Sequence, residues 1–195
     1  MVRAYVELCY EVGADNITIQ KIADRAKVAF GTVRYYFANE EKALHDEAIK
    51  LVLTHSYQVI EEIFFELRRK STFDPIDAYV DTMFQWIAEH PDEGAFLIYF
   101  YYLSATRLGL GMRASETVDK ARLRVEGLLH EAVGKGLYEP VVNAAETAAT
   151  IHALTIGFGF IALTFSDHKQ FNVQREFCRR SVKQLLRPRQ AQSMA

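Results

Sequence analysis

The sequence predicts an all-α fold of about nine helices, and three observations lead there. Apolar residues recur at helical spacing along nearly the whole chain. No long run alternates apolar and polar residues as a half-buried strand does. The four prolines, Pro75, Pro91, Pro140 and Pro188, fall where helical patterns begin or end, positions at which a missing backbone N–H is tolerated.

The elements follow in order. A first helix runs from Val2 to Val12 and stops at Gly13, a C-terminal glycine. Thr18 is an N-cap for a second helix that sets Ile19, Ile22, Ala23 and Ala26 on one face. A short linker, Lys27 to Ala29, leads into a third helix ending at Phe37. Asn39 caps a long fourth helix, with Glu40 and Glu41 near its positive end and Leu44, Ala48, Leu51, Val52, Val59, Ile63 and Leu67 at helical spacing. After the basic cluster Arg68 to Lys70, Asp74 and Pro75 open a fifth helix through Glu89, and Pro91 opens an aromatic-rich sixth. Gly109 and Gly111 mark a loop. A seventh helix is expected over Ser115 to Lys135, an eighth from Asn143 to about Ser166, and a ninth from Val173 to Leu186, ahead of a polar tail.

Composition narrows the function classes. The chain has 195 residues, 50% hydrophobic and 25% charged, which are globular values and enough for a sizeable core. The net charge is −2, so any nucleic-acid contact must rest on a local feature. Cys9 and Cys178 stand far apart with no CxxC pair, and the six histidines form no HExxH or HxxxH pair. No metal site, disulfide framework or other cofactor is therefore expected. The absence of a GxSxG turn or a phosphate-binding loop argues against an enzyme. The most apolar stretch, Ile151 to Phe165, is broken by His152, Thr155, Gly157, Gly159 and Thr164. It falls short of the roughly 20 residues of a spanning helix, so no membrane partner is expected. The first residues lack the basic start and apolar run of a signal peptide, and a cytoplasmic protein is the expectation.

The informative segment is Thr18 to Phe37. Two short helices meet at a tight turn, with Ile22, Ala23, Val28 and Val33 placed to hold the crossing and Ala23 and Ala26 small enough for close approach. That is a helix-turn-helix, whose second helix enters the major groove. This second helix offers Thr32, Arg34, Tyr35 and Tyr36. Arg34 suits guanine or phosphate, and the hydroxyls suit phosphate. Gly31 lets the helix start approach a DNA backbone, and the helix N-terminus favours a phosphate. From Thr18 to Lys42, five basic residues (Lys21, Arg25, Lys27, Arg34 and Lys42) face Asp24, Glu40 and Glu41, a local balance of +2. The plain alternative is a helix-turn-helix that serves only as a structural corner.

With Glu7-Leu8, Gly13, Thr18, Ile22-Ala23, Ala26, Val28, Gly31-Thr32, Tyr36-Phe37 and Lys42 at these spacings, residues 4–50 resemble the DNA-binding region of the tetracycline-repressor (TetR) family. The resemblance covers about a quarter of the chain. It implies a DNA-binding domain over 1–45 and an effector-binding and dimerisation domain over 46–195. It further implies a homodimeric repressor on a near-palindromic double-stranded DNA operator, released by a small-molecule effector. By position, Thr18, Thr32, Tyr36 and Lys42 are the implied phosphate contacts, and Ala29, Phe30, Arg34 and Tyr35 the groove-facing ones. Phe30 departs from the basic or small polar residue usual there: it either meets a thymine methyl or weakens binding. A basic arm is usual before the first helix, and here the sequence starts almost at the helix: either the arm was lost or this start is not the native one.

Two further expectations concern the C-terminal half. The eighth helix is apolar nearly all round, so it needs cover on every side. Ala149, Ala153, Ile156, Gly157 and Phe160, with Phe177, Val182 and Leu185 of the ninth helix, are the expected isologous dimer interface. Met83, Trp86, Phe96, Tyr99, Phe100, Leu103, Arg107, His152 and Phe158 are the candidate lining of an effector pocket. Their chemistry points to a largely hydrophobic or aromatic effector, and core packing is the plain alternative for each.

Overall fold

The structure is a computed structural model that describes residues 1–37, 41–70, 72–106, 111–165 and 167–187. Among them it is all helical. The helices are α1 (Val2–Val12), α2 (Ile19–Ala26), α3 (Phe30–Phe37), α4 (Glu41–Arg68), α5 (Pro75–Glu89), α6 (Pro91–Thr106), α7 (Gly111–Gly134), α8 (Ala144–Ala162) and α9 (His168–Leu185), with a 3-10 turn at Ala14–Asn16.

Local chemistry explains most boundaries. Gly13 ends α1 at φ 79°, a left-handed value that glycine adopts at little cost. Asp74 caps α5 by accepting from the Ile76 and Asp77 amides, and Pro75 fills the first position, where its missing N–H loses nothing. Asn143 caps α8 by accepting from the Glu146 amide at 3.1 Å. Asn39, expected to cap α4, and Gly109 lie outside the described residues.

Three boundaries differ from the sequence reading. Gly111 is the first residue of α7 rather than part of a loop, so that helix starts four residues before Ser115. The eighth helix ends at Ala162, not near Ser166. The ninth begins at His168 because Asp167 accepts from the Lys169 amide at 2.9 Å. A polar first turn hid that start from a reading based on apolar spacing.

Two apolar clusters form the core. The first joins Tyr5, Val6 and Leu8 of α1, Ile22 and Ala23 of α2 and Val33 of α3 to Leu44, Ala48 and Val52 of α4. It continues without a break into Trp86 and Ile87 of α5 and Phe96, Phe100 and Leu103 of α6. The second gathers Ile76, Val80 and Phe84 of α5, Val125 and Leu129 of α7, Ile151 and Ala162 of α8, and Cys178 and Val182 of α9. Helix α5 thus serves both clusters, one at each end. The N-terminal helices are seated by packing that crosses position 45.

Helix α8 is 19 residues long and by length and composition alone is apolar enough to cross a membrane, contrary to the expectation from Ile151 to Phe165. Here it packs between α7 and α9 with only part of its surface covered.

Candidate nucleic-acid interface

The site is assembled from α1 outward. Arg25 of α2 donates to Glu7 at 3.1 Å and to both carboxylate oxygens of Glu11, which ties α2 to α1 and lowers the Glu11 carboxyl through those hydrogen bonds. Thr18 caps α2, its hydroxyl oxygen accepting from the Lys21 amide at 3.2 Å. The turn then closes on Lys27, which takes a left-handed conformation at φ 54° and ψ 44° and donates its N–H to the Ala23 and Asp24 carbonyls. The Val28 amide reaches Ala23 O at 3.0 Å. These bonds satisfy carbonyls that the end of α2 leaves orphaned, and they set the angle at which α3 departs. Val28 itself is exposed. The expected role in holding the crossing passes to Ile22, Ala23 and Val33 alone.

Helix α3 has two unlike faces. Val33 is fully buried and Phe37 half-buried against the first cluster. On the other side Phe30 is 43% exposed, Tyr35 84% and Tyr36 58%, with Gly31 and Arg34 exposed among them. Phe30 and Arg34, and Gly31 and Tyr35, are four residues apart and so share this outer face. Among the described residues, the rings of Tyr35 and Tyr36 contact each other and Tyr36 contacts Phe37; Tyr35 meets Tyr36 edge-on at 5.2 Å. Thr18 and Ala29 are exposed at the edge of this face, and Thr32 is half-buried beside it. A Cβ built on Gly31 meets no atom within 4 Å. Lys42, in the first turn of α4, falls outside the described side chains.

The structure revises the charge count. Arg25 faces Glu7 and Glu11 and is spent on the fold, so the exposed cations near the turn are Lys21, Lys27 and Arg34. Lys21 also donates to Asn16 O at 2.8 Å. Sequence spacing could not reveal the Arg25 pairing, because its partners lie 14 and 18 positions away on another helix.

The expected effector set divides. Met83, Trp86, Phe96, Tyr99, Phe100 and Leu103 meet in the first cluster, while His152 and Phe158 belong with the second; Arg107 lies outside the described residues. Trp86, Phe96 and Phe100 are packed closed as core. Two atoms in this region stand out: Trp86 Nε1 and Thr82 Oγ1, four residues apart on α5, are buried with no hydrogen-bond partner among the described residues. His152 is hydrogen-bonded through Nδ1 to the Tyr79 hydroxyl at 2.7 Å. Burial, helped by the charge of Arg122, lowers its pKa to about 4. A separate open cleft of about 590 Å³ lies between α4 and α7, lined by Asp46, Lys50, Leu53, Tyr57, Glu116 and Lys120 among others.

Of the expected interface residues, Ala153 and Gly157 are exposed, Ala149 and Ile156 half-buried, and Phe177 and Leu185 exposed. Ile161, which the sequence reading passed over, continues the outer stripe of α8 and is exposed. Two of the set point elsewhere. Val182 is 1% exposed and belongs to the second cluster, so it is unavailable to a partner. Phe160 is half-buried against Tyr101, ring centres 6.0 Å apart. Burial raises both thiols, Cys9 and Cys178, to about 11, which removes either as a ready thiolate.

No protein-family profile matches the chain. None of the curated proteins matches it either. Solved structures do match, over nearly its whole length. A TetR transcription regulator from Haloarcula marismortui superposes with a TM-score of 0.75 at 17% identity, covering 95% of this chain and 96% of that one. A protein assigned as a transcriptional regulator from Saccharomonospora viridis, in complex with choline, gives 0.78 at 16% identity, covering 97% and 96%. The fatty acid degradation regulator FadR from Bacillus halodurans gives 0.70 at 17% identity, covering 93% and 95%. The fold of the chain is that of the TetR transcription regulators.

Proposed function

We propose that the chain is a DNA-binding transcriptional regulator, a cytoplasmic homodimeric repressor rather than an enzyme, which reads a near-palindromic operator through α3. The observation that carries this reading is the outer face of α3: three large aromatics, an arginine and a glycine, exposed together on a helix whose other side packs into the core through Val33 and Phe37. A stable monomer gains nothing by leaving that surface bare, whereas a major groove accepts it. Arg34 and Tyr35 are the base readers in this reading. Thr18, Thr32, Tyr36 and Lys42 hold phosphates, and Ala29, Phe30 and Gly31 line the approach.

Two copies related through the outer faces of α8 and α9 (Ala149, Ala153, Ile156, Gly157, Ile161, Phe177 and Leu185) would set two α3 helices roughly 34–36 Å apart, one DNA turn. The effector is a small, largely hydrophobic or aromatic molecule, and its entry beside Trp86 and Phe100 requires the closed packing there to part. The orphaned Trp86 Nε1 and Thr82 Oγ1 support this. A buried polar group without a partner costs about 1–3 kcal/mol, and an acceptor on the effector removes that cost. Trp86 is the only tryptophan of the chain, so its fluorescence reports this site directly.

A gel-shift titration against DNA from beside the encoding gene tests the central claim. Binding that weakens with salt is expected, and its absence on every upstream fragment would leave α3 as a protein-interaction surface instead. Arg34→Ala should cost about 1–3 kcal/mol and relax preference at one base position; a loss uniform across sequences reassigns Arg34 to phosphate.

A further inference from the structure

A second cluster of chemistry-bearing side chains lies where α1, α4, α5 and α6 converge. Glu93, in the first turn of α6, is completely buried. Its Oε1 accepts from Arg3 of α1 and lies 2.7 Å from Nδ1 of His55 on α4. Its other oxygen, Oε2, is buried with no partner among the described residues. His90, the residue that closes α5, sets its ring edge-on to that of His55, centres 4.9 Å apart. One donor atom from each of His55, His90 and Glu93 lies within 4.8 Å of the other two.

We propose that His55, His90 and Glu93 form a site for a divalent transition-metal ion, held in competition with Arg3. Bonds of about 2.0–2.1 Å in a tetrahedral site place donor atoms roughly 3.3 Å apart. The separations here, 2.7 Å between His55 Nδ1 and Glu93 Oε1 and within 4.8 Å for the set, bracket that value, so modest side-chain rotations would suffice to bring the three donors onto one ion. Two imidazoles with one carboxylate select a zinc-like ion over magnesium or calcium, which take oxygen sets. The half-exposed His55 leaves an entry path and a fourth position for water.

Charge favours the site as well. Arg3 is the cation that faces Glu7, Asp92 and Glu93 together, and the bare Glu93 Oε2 is a buried acceptor that a cation would satisfy. The carbonyl end of α5, at His90, also favours positive charge. An ion there draws Glu93 from Arg3, which keeps Asp92 at 2.9 Å and Glu7 at 3.5 Å. Glu93 is the α6 end of a run of ion pairs, Glu93–Arg3–Glu7–Arg25–Glu11, that passes through Arg25 of α2 and ends on Glu11 of α1. Occupancy thus loosens the tie of α1 to α6. The site is independent of whether the chain binds DNA.

Calorimetric titration of the chelator-stripped full chain with Zn²⁺ tests the proposal. One equivalent per chain is expected, lost in His90→Ala, whose side chain makes no hydrogen bond among the described residues and whose removal should leave the helical circular dichroism unchanged. Arg3→Gln, which removes the competing cation, should bind Zn²⁺ several-fold tighter. Co²⁺ should show the visible bands of a four-coordinate site in the parent chain and not in His90→Ala. No saturable Zn²⁺ binding by the parent chain, or binding undiminished in His90→Ala, overturns the site. Binding unchanged or weaker in Arg3→Gln overturns the competition.

Discussion

Gly31 sits in the first turn of α3, where alanine is the better helix former by about 0.5–1 kcal/mol. Nothing in the chain calls for glycine there: its φ lies outside the left-handed range, and an added Cβ meets open space. The position is sub-optimal for folding and open toward solvent, which suits a surface approached by a phosphate backbone. Gly31→Ala should therefore raise stability by about 0.5–1 kcal/mol in urea melts and weaken operator binding in gel shifts. A variant that gains stability with unchanged DNA affinity would remove Gly31 from the interface. Gly159 is the opposite case. A Cβ there would lie 2.8 Å from Ile87 Cδ1, so this glycine serves the packing of α8 on α5 within one chain, while Gly157, with open space around it, remains on the outer face.

At the scale of elements, α8 is fastened to α5 by the Tyr79–His152 hydrogen bond and to α9 by apolar packing around Cys178. The bond has a pH signature. Burial holds His152 at a pKa of about 4, below the ordinary 6.5, so the unfolded chain takes up the proton first. The contribution to stability is complete above about pH 6.5 and is lost as pH falls from there to about 4, on the order of 3 kcal/mol in all. Thermal melts of the parent chain should fall in this window, and His152→Gln should flatten the dependence between pH 7 and 4.5. Equal slopes for the two proteins would assign the acid sensitivity to other groups. The α2–α3 unit is fastened differently, by the Arg25 carboxylate pairs and the Lys27 turn, and so carries its charge inward as much as outward.

At the scale of the molecule, the outer face of α3 and the stripe of α8 and α9 are uncovered among the described residues. A helix as apolar as α8 that covers only part of itself within the chain leaves an apolar face open, and a second copy is the occupant proposed above. The clean test is a charge at Ala153, which is exposed; Phe160 and Val182 touch the chain's own core, and charging them would damage the fold as well. Sedimentation should show Ala153→Glu as a folded monomer with weakened operator binding. A dimer unchanged by that substitution would move the interface elsewhere.

Most helix boundaries and the helix-turn-helix were legible in the sequence because they rest on local chemistry. Thr18, Asp74 and Asn143 cap helices through bonds two or three residues ahead, Gly13 and Pro75 act on their own backbone, and Ile22, Ala23 and Val33 share a face by helical period alone. The nine-helix plan and the candidate reading helix follow from those signals. What no local signal encodes is the choice of face and partner. That Arg25 turns to Glu7 and Glu11, that Val182 faces inward while Leu185 faces out, and that Trp86 keeps an unmatched N–H are all decided by how α1, α5 and α9 pack. The same holds for His55, His90 and Glu93. His55 and Glu93 stand 38 positions apart with no motif to connect them, and only the convergence of four helices brings their donor atoms to one point.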